Sequence, residues 1–276
     1  MTAREFLMNV SIIVTIMAIG TLLEIIVPLF GASKVAPGRR SANLAFTGLS
    51  VLSNWGLSSL AAILALSWRP HGLMAGTAWP VWVQIVLCVV LLDLSVGYVS
   101  HRMLHMNSFL WRFHRIHHSD EFVDATTTYR THPAETLWRF LFAVVPIWIV
   151  GIPAQAVVAQ RLLQITFGIL EHSNVRLPPA LDRRLAMVWV TPNVHKLHHS
   201  RLPAETNSNY ANVLTLWDRL LRTYTPSERA YSVVYGLDDA DPAHRSFPSL
   251  LREPFEAKAE VSVPDTKVRN AASMAR

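Results

Sequence analysis

The sequence predicts an all-α integral membrane bundle whose cytoplasmic side carries a histidine-rich helical cap. Three observations carry that prediction. Of the 276 residues, 51% are hydrophobic and only 16% charged, where a soluble domain has about a quarter of its residues charged; mean hydropathy is +0.27. Apolar runs of bilayer-crossing length recur along the first half of the chain. Ten of the twelve histidines fall between His101 and His199, at spacings of three and four that place side chains on one face of a helix.

Residues 6–30 form the first expected span, with Glu24 its only charge. A signal peptide would need a basic start beyond Arg4 and a small-residue cleavage site, and neither is present. The loop that follows carries Lys34, Arg39 and Arg40 without an acid, the mark of a cytoplasmic loop. Residues 43–67, rich in Leu, Ala, Ser and Gly, make a second span suited to close helix packing. Residues 80–100 make a third, bordered by Trp68, Trp79 and Trp82 as an interfacial belt. Asp93 lies inside this third span, where a carboxylate faces the bundle interior or a polar cavity.

From His101 to Trp138 the chain turns polar and basic. Arg102, Arg112, Arg115 and Arg130 place this stretch on the cytoplasmic side, three crossings from an external N-terminus. Residues 137–152 are apolar again, and Gly151–Pro153 breaks them. The return stretch 155–170 carries Gln155, Gln160, Arg161 and Gln164, too polar to face lipid. The two limbs are expected to form a hairpin within the bundle, a candidate re-entrant segment, bringing the count to about four transmembrane helices. Residues 210–224 have the pattern of an amphipathic helix lying on the bundle. The expected organisation is one membrane-embedded domain over 1–225, its histidine-rich part at about 93–222, then a polar and partly disordered tail over 226–276.

The net charge of +6 and the isoelectric point near 9.8 fit basic loops at an anionic membrane. No basic, aromatic-interleaved motif points to nucleic acid. Cys88 is the single cysteine, so the chain has no internal disulfide and no cysteine set for a zinc finger or iron–sulfur cluster.

The histidines read HRMLH (His101, His105), HRIHH (His114, His117, His118) and HKLHH (His195, His198, His199), with His132 and His172 between them. Each cluster is expected to aim its imidazoles at a common point. Neutral imidazole suits iron, zinc, copper and nickel, and ten such groups exceed what one ion uses, so two metals are expected. Asp93, Asp120, Asp124, Glu135, Asn174, Asn193 and Asp218 could orient the imidazoles by accepting a ring N–H; capping and loop hydrogen bonds are the competing role for each. A metal transporter or metal-binding membrane protein would need polar residues along the spans, which offer little beyond Glu24 and Asp93. A di-zinc membrane hydrolase would need an activating carboxylate at motif spacing, and none is evident. A scaffold without activity would have lost motif histidines, and none is missing.

This order of motifs resembles the sterol desaturase / fatty acid hydroxylase superfamily of integral membrane enzymes. The resemblance covers about residues 90–222. It includes THPAE (131–135), EHSN (171–174), TPNVHKLHHS (191–200) and TLWDRL (215–220), whereas the first ninety residues resemble that family only in being hydrophobic spans. The resemblance implies a non-haem di-iron oxygenase, its two irons held by the ten histidines, with zinc able to replace iron in purified protein. Such an enzyme uses O2 and two electrons to hydroxylate or desaturate a C–H bond of a sterol, fatty acyl or related lipid. It implies a multi-pass protein with its site on the cytoplasmic side. The electrons would come from a separate donor of cytochrome b5, ferredoxin or flavin reductase type.

Overall fold

Apolar helices fix the frame. In the computed structural model, which describes residues 3–31, 36–240 and 246–256, α1 (Ala3–Ile26) and α2 (Arg39–Trp68) run the length of the bundle. A third long helix starts as α3 (Val81–Leu92), widens into a π-helical segment over Asp93–Val99 and tightens again as α4 (Ser100–Met106). Short α5 (Ser108–His118) follows, and α6 (Pro133–Pro146) continues into a second π segment, Ile147–Gly151. The return limb is α7 (Ala154–His172). No strand occurs among the described residues; three isolated bridges are the only β pairing there.

Among the described residues, four stretches are long and apolar enough to cross a membrane: Phe6–Ile26, Arg39–His71, Val81–Met106 and Pro133–Gly151. The expected hairpin reaches as deep as the other spans. Gly151 meets the α2–α3 turn at Gly72 so closely that a Cβ on Gly72 would stand 2.2 Å from the Gly151 nitrogen. Leu73 and Met74 N–H groups donate to the Ile149 and Val150 carbonyls, both at 3.0 Å. Gly151 itself adopts a φ of 73°, a conformation costly to any residue with a side chain. Because α7 packs among α1, α2, α3, the Ala125–Tyr129 turn and the short helix Pro192–His198, its Gln160 is buried rather than lipid-facing.

One expectation changes. Residues 210–224 do not form one amphipathic helix; only α11, Leu216–Leu220, is helical. The buried Asp218 carboxylate accepts the Tyr210 and Ala211 N–H groups, both at 2.9 Å, and the Thr223 hydroxyl, folding the segment into a loop around itself. Of the stretch after 226, Ser227–Ser232 forms a 3-10 helix. Between α7 and α11 lie α8 (Pro179–Leu185), α9 (Pro192–His198) and the single turn α10 (Pro203–Thr206). Beyond them α12 (Phe247–Arg252) buries Leu250 against Ala42, Phe46 and Ile116. Residues 257–276, Lys34 and His244 lie outside the described residues.

Arg39 is no surface marker of topology. It is buried, donating from Nη1 to Asp124 Oδ2 at 2.8 Å and from Nη2 to Asp120 Oδ2 at 3.0 Å. Arg40, beside it, is exposed. The start of α2 is thereby fastened to the loop that follows α5.

Candidate metal centre

Two short helices carry the triplet motifs, and their starts are capped. The Asn107 side chain accepts the Phe109 and Leu110 N–H groups at the head of α5. The Thr191 hydroxyl accepts the Val194 N–H at the head of α9, with Pro192 in the first helical position. Successive helical residues turn by about 100°, so the adjacent histidines of each triplet point apart.

The consequence corrects the expectation that each cluster shares one focus. His114 and His118 join His101, His105 and His198 in one group, while His117 joins His172, His195 and His199 in another. Thus α5 gives two imidazoles to the first group and one to the second, and α9 gives one and two. All nine are buried, and within each group the ligand atoms lie within 4.8 Å of one another. The groups adjoin, the His118 and His199 rings stacking at 4.5 Å.

Hydrogen bonds on the outer ring nitrogens show whether these residues fit metal ions. His101 Nδ1 lies 2.7 Å from the Tyr210 carbonyl and His198 Nδ1 2.7 Å from the Ser208 carbonyl. A carbonyl only accepts, so each Nδ1 carries the proton and each neutral ring's Nε2 is bare. Those two bare nitrogens face each other at 3.1 Å. No hydrogen bond can join them, and a cation shared between them removes the repulsion. In the second group His172 Nδ1 donates to the Gly168 carbonyl at 2.6 Å, and its Nε2 stands 3.0 Å from both His117 Nε2 and His195 Nε2. Nitrogens about 2.1 Å from one ion and at right angles to it are about 3.0 Å apart. Burial holds the His117, His118, His195 and His199 imidazoles well below their ordinary range and brings His198 to about 3. Neutral, ligating imidazole is the state this site enforces, and the donor set fits two ions.

The tenth histidine stands apart. His132 belongs to neither group; its Nδ1 accepts the Ala134 N–H as the cap of α6, and its ring lies against Phe113 and Phe255. Among the seven polar groups expected to orient imidazoles, Glu135 accepts from His114 Nδ1 at 2.9 Å and is itself held by Arg139 at 2.9 Å. Asp218 acts one step behind, holding the loop whose Tyr210 carbonyl takes the His101 proton. The other five bond elsewhere. Asp93 accepts from the Trp217 indole at 2.8 Å, and Asp120 and Asp124 hold Arg39. Asn174 ties down the Phe30 backbone from both sides, and Asn193 donates to the Tyr231 hydroxyl. Each of these carboxylates and amides reaches a nearer tertiary partner than an imidazole. The carbonyls of Gly168, Ser208 and Tyr210 take the protons instead, and a backbone acceptor has no sequence signature.

Glu171, the first residue of the EHSN stretch, is buried beside the second group. It accepts from Asn212 at 2.8 Å, and its other oxygen lies 3.8 Å from His195 Nδ1. A cavity of about 200 Å³ opens from both groups into the bundle, lined by His101, His117, His172 and His195 at one end and by Leu57, Ala61, Leu92, Phe140, Ala143 and Val157 farther along the spans.

The model of the fatty acid hydroxylase family matches residues 85–223, half of the chain, and that segment contains all nine grouped histidines. The chain belongs to the fatty acid hydroxylase family. It is a multi-pass membrane protein of the sterol desaturase / fatty acid hydroxylase superfamily. Among similar proteins, the ornithine lipid hydroxylase OlsE of Rhizobium tropici is 31% identical over 72% of this chain and 58% of its own length. The alkylglycerol monooxygenase of Danio rerio is 30% identical over 58% of this chain and 33% of its own length. The human cholesterol 25-hydroxylase is 27% identical over 51% and 50%. This family member therefore spans only part of the length of each relative. No solved structure matches it.

Proposed function

We propose that this chain is a membrane-bound di-iron oxygenase that hydroxylates a C–H bond of a lipid. The observation that carries the reading is the pair of adjoining, buried all-imidazole groups with bare Nε2 atoms facing one another. Five histidines, His101, His105, His114, His118 and His198, would hold one iron, and His117, His172, His195 and His199 the other; His132 is left out. When bound, the irons supply activation of O2 by two electrons at a neutral nitrogen shell. The relatives' names, hydroxylase and monooxygenase, favour hydroxylation over desaturation.

The protein's own part is holding and shaping. Glu135 anchors His114, and the Tyr210, Ser208 and Gly168 carbonyls lock three further rings in one tautomer. The cavity offers an alkyl chain a path from the spans to the histidines along Leu57, Ala61, Leu92, Phe140 and Ala143. Arg40, Arg102 and Arg112 near the histidine end support a cytoplasmic placement of the site, within reach of a separate electron-donor protein of cytochrome b5, ferredoxin or flavin reductase type.

The test is metal stoichiometry with product analysis. Full-length protein purified in detergent from iron-supplemented cells should carry about two irons, the ratio of one per group of neutral imidazoles. With a reductant and 18O2 it should place labelled oxygen in a co-purifying or added lipid. Less than one metal of any kind, unaltered in His117→Ala and His198→Ala, would refute the centre.

A further inference from the structure

Along the cavity α7 presents a cation with no ion-pair partner among the described residues. Arg161 lines the cavity and donates from Nη1 to Asn54 Oδ1 at 2.9 Å. It has no ion pair and no second hydrogen bond among the described residues. The Tyr129 side chain lines the same cavity, and its buried hydroxyl has no hydrogen-bond partner among the described residues. A cation inside a membrane bundle is expensive unless paired, and an unpaired one points to a ligand. The carboxylates that line the cavity, Glu135 and Glu171, stand at its histidine end, where Arg139 and His114 hold Glu135 and Asn212 holds Glu171. Both cavity carboxylates are thus engaged at the histidine end, and neither is paired with Arg161. Eleven residues separate Arg161 from His172 on the same helix, about 16 Å along its axis.

We infer that Arg161 and the Tyr129 hydroxyl form a recognition site for an oxyanion carried by the lipid substrate. The inference rests on the oxygenase reading for the word substrate, and deepens it to an acidic amphiphile. The guanidinium pairs with the oxyanion, and the Tyr129 hydroxyl donates a further hydrogen bond to it. Carbon some distance from the charged group then faces the metal centre. Carboxylate and phosphate monoester both offer this chemistry.

Equilibrium binding to the full-length chain in uncharged detergent tests it with three probes of one chain length: hexadecanoic acid, hexadecyl phosphate and 1-hexadecanol. Wild type should bind at least one anion about ten-fold or more tightly than the alcohol, as a charge-assisted hydrogen bond gives, and the stronger anion names the source. Arg161→Gln should bring that anion down to the level of the alcohol and leave the alcohol unchanged; Arg161→Lys should keep most of the preference. Equal binding of all three by wild type, or an intact preference in Arg161→Gln, overturns the inference. Should Arg161→Gln fail to fold, Tyr129→Phe decides: a reduced anion preference supports the site and an unchanged one overturns it. Iron content of the same preparations separates the two readings. Protein with its iron but without anion preference refutes the recognition site alone, and anion preference without metal refutes the oxygenase alone.

Discussion

Along α1 and α2, Leu22, Ile25, Leu52 and Leu66 each leave more than half of their surface free on the outside of the bundle. At the histidine end the order reverses: Lys196, Arg115, Asp218 and nine imidazoles are buried. One region stabilises itself by giving its apolar side chains to lipid, the other by satisfying polar groups away from water. The difference teaches where each kind of substitution is felt. A change of apolar shape in the outer shell meets fluid chains, whereas the loss of one polar atom in the cap leaves its partner stranded.

The largest effect that would break the comparison is removal of a grouped imidazole. His118→Ala should abolish turnover and deplete iron, measured by elemental analysis; an outer-shell change such as Leu52→Ala should do neither. Next comes the anchor of α2. Arg39→Ala strands Asp120 and Asp124 and should cost about 3–5 kcal/mol, whereas Arg40→Ala, at an exposed side chain, should stay within about 0.5 kcal/mol. Chemical unfolding in mixed micelles measures both, and equal losses would contradict the buried pairing.

Acid should separate the regions too. His198 titrates near 3 in the fold against an ordinary 6.5, because burial opposes its charged form. The unfolded chain therefore binds more protons between those values. Metal-free protein should be fully stable above the unfolded value and lose stability as pH falls from about 6.5 toward 3. Iron-loaded protein should lose it at lower pH. Melting curves with and without a chelator that superimpose across this window would contradict the ligand assignment.

Two smaller changes sharpen the picture. Glu135→Gln keeps the shape but weakens the hold on His114, and should lower metal affinity or turnover by about 10–100-fold. His132→Ala should leave the metal count intact and cost about 1 kcal/mol as a lost helix cap. Metal loss in that variant would return His132 to the ligand set.

Much of this was legible beforehand, for reasons that differ by region. Span lengths follow from hydropathy, so the four long helices lie where apolar runs predict. The histidine spacing singled out the residues that gather, because a helical period survives in short helices such as α5 and α9. How they gather was not legible. The 100° step that parts His117 from His118 becomes decisive only when a second helix faces the first. The role of Arg39 was equally hidden, since a basic residue after a span reads as topology until Asp120 and Asp124 are brought beside it. His132 matched the motif order, yet its ring is committed to the Ala134 N–H and to Phe113.

The crossed allegiance of α5 and α9 couples the two halves of the centre mechanically. Each helix, about two turns in α9 and three in α5, carries imidazoles of both groups and would grip both ion positions at once. An ion arriving at either position fixes both helices, and so sets three imidazoles of the other position in place before its own ion arrives. Under the two-ion reading loading should then be cooperative, and a metal titration should pass through few singly occupied molecules.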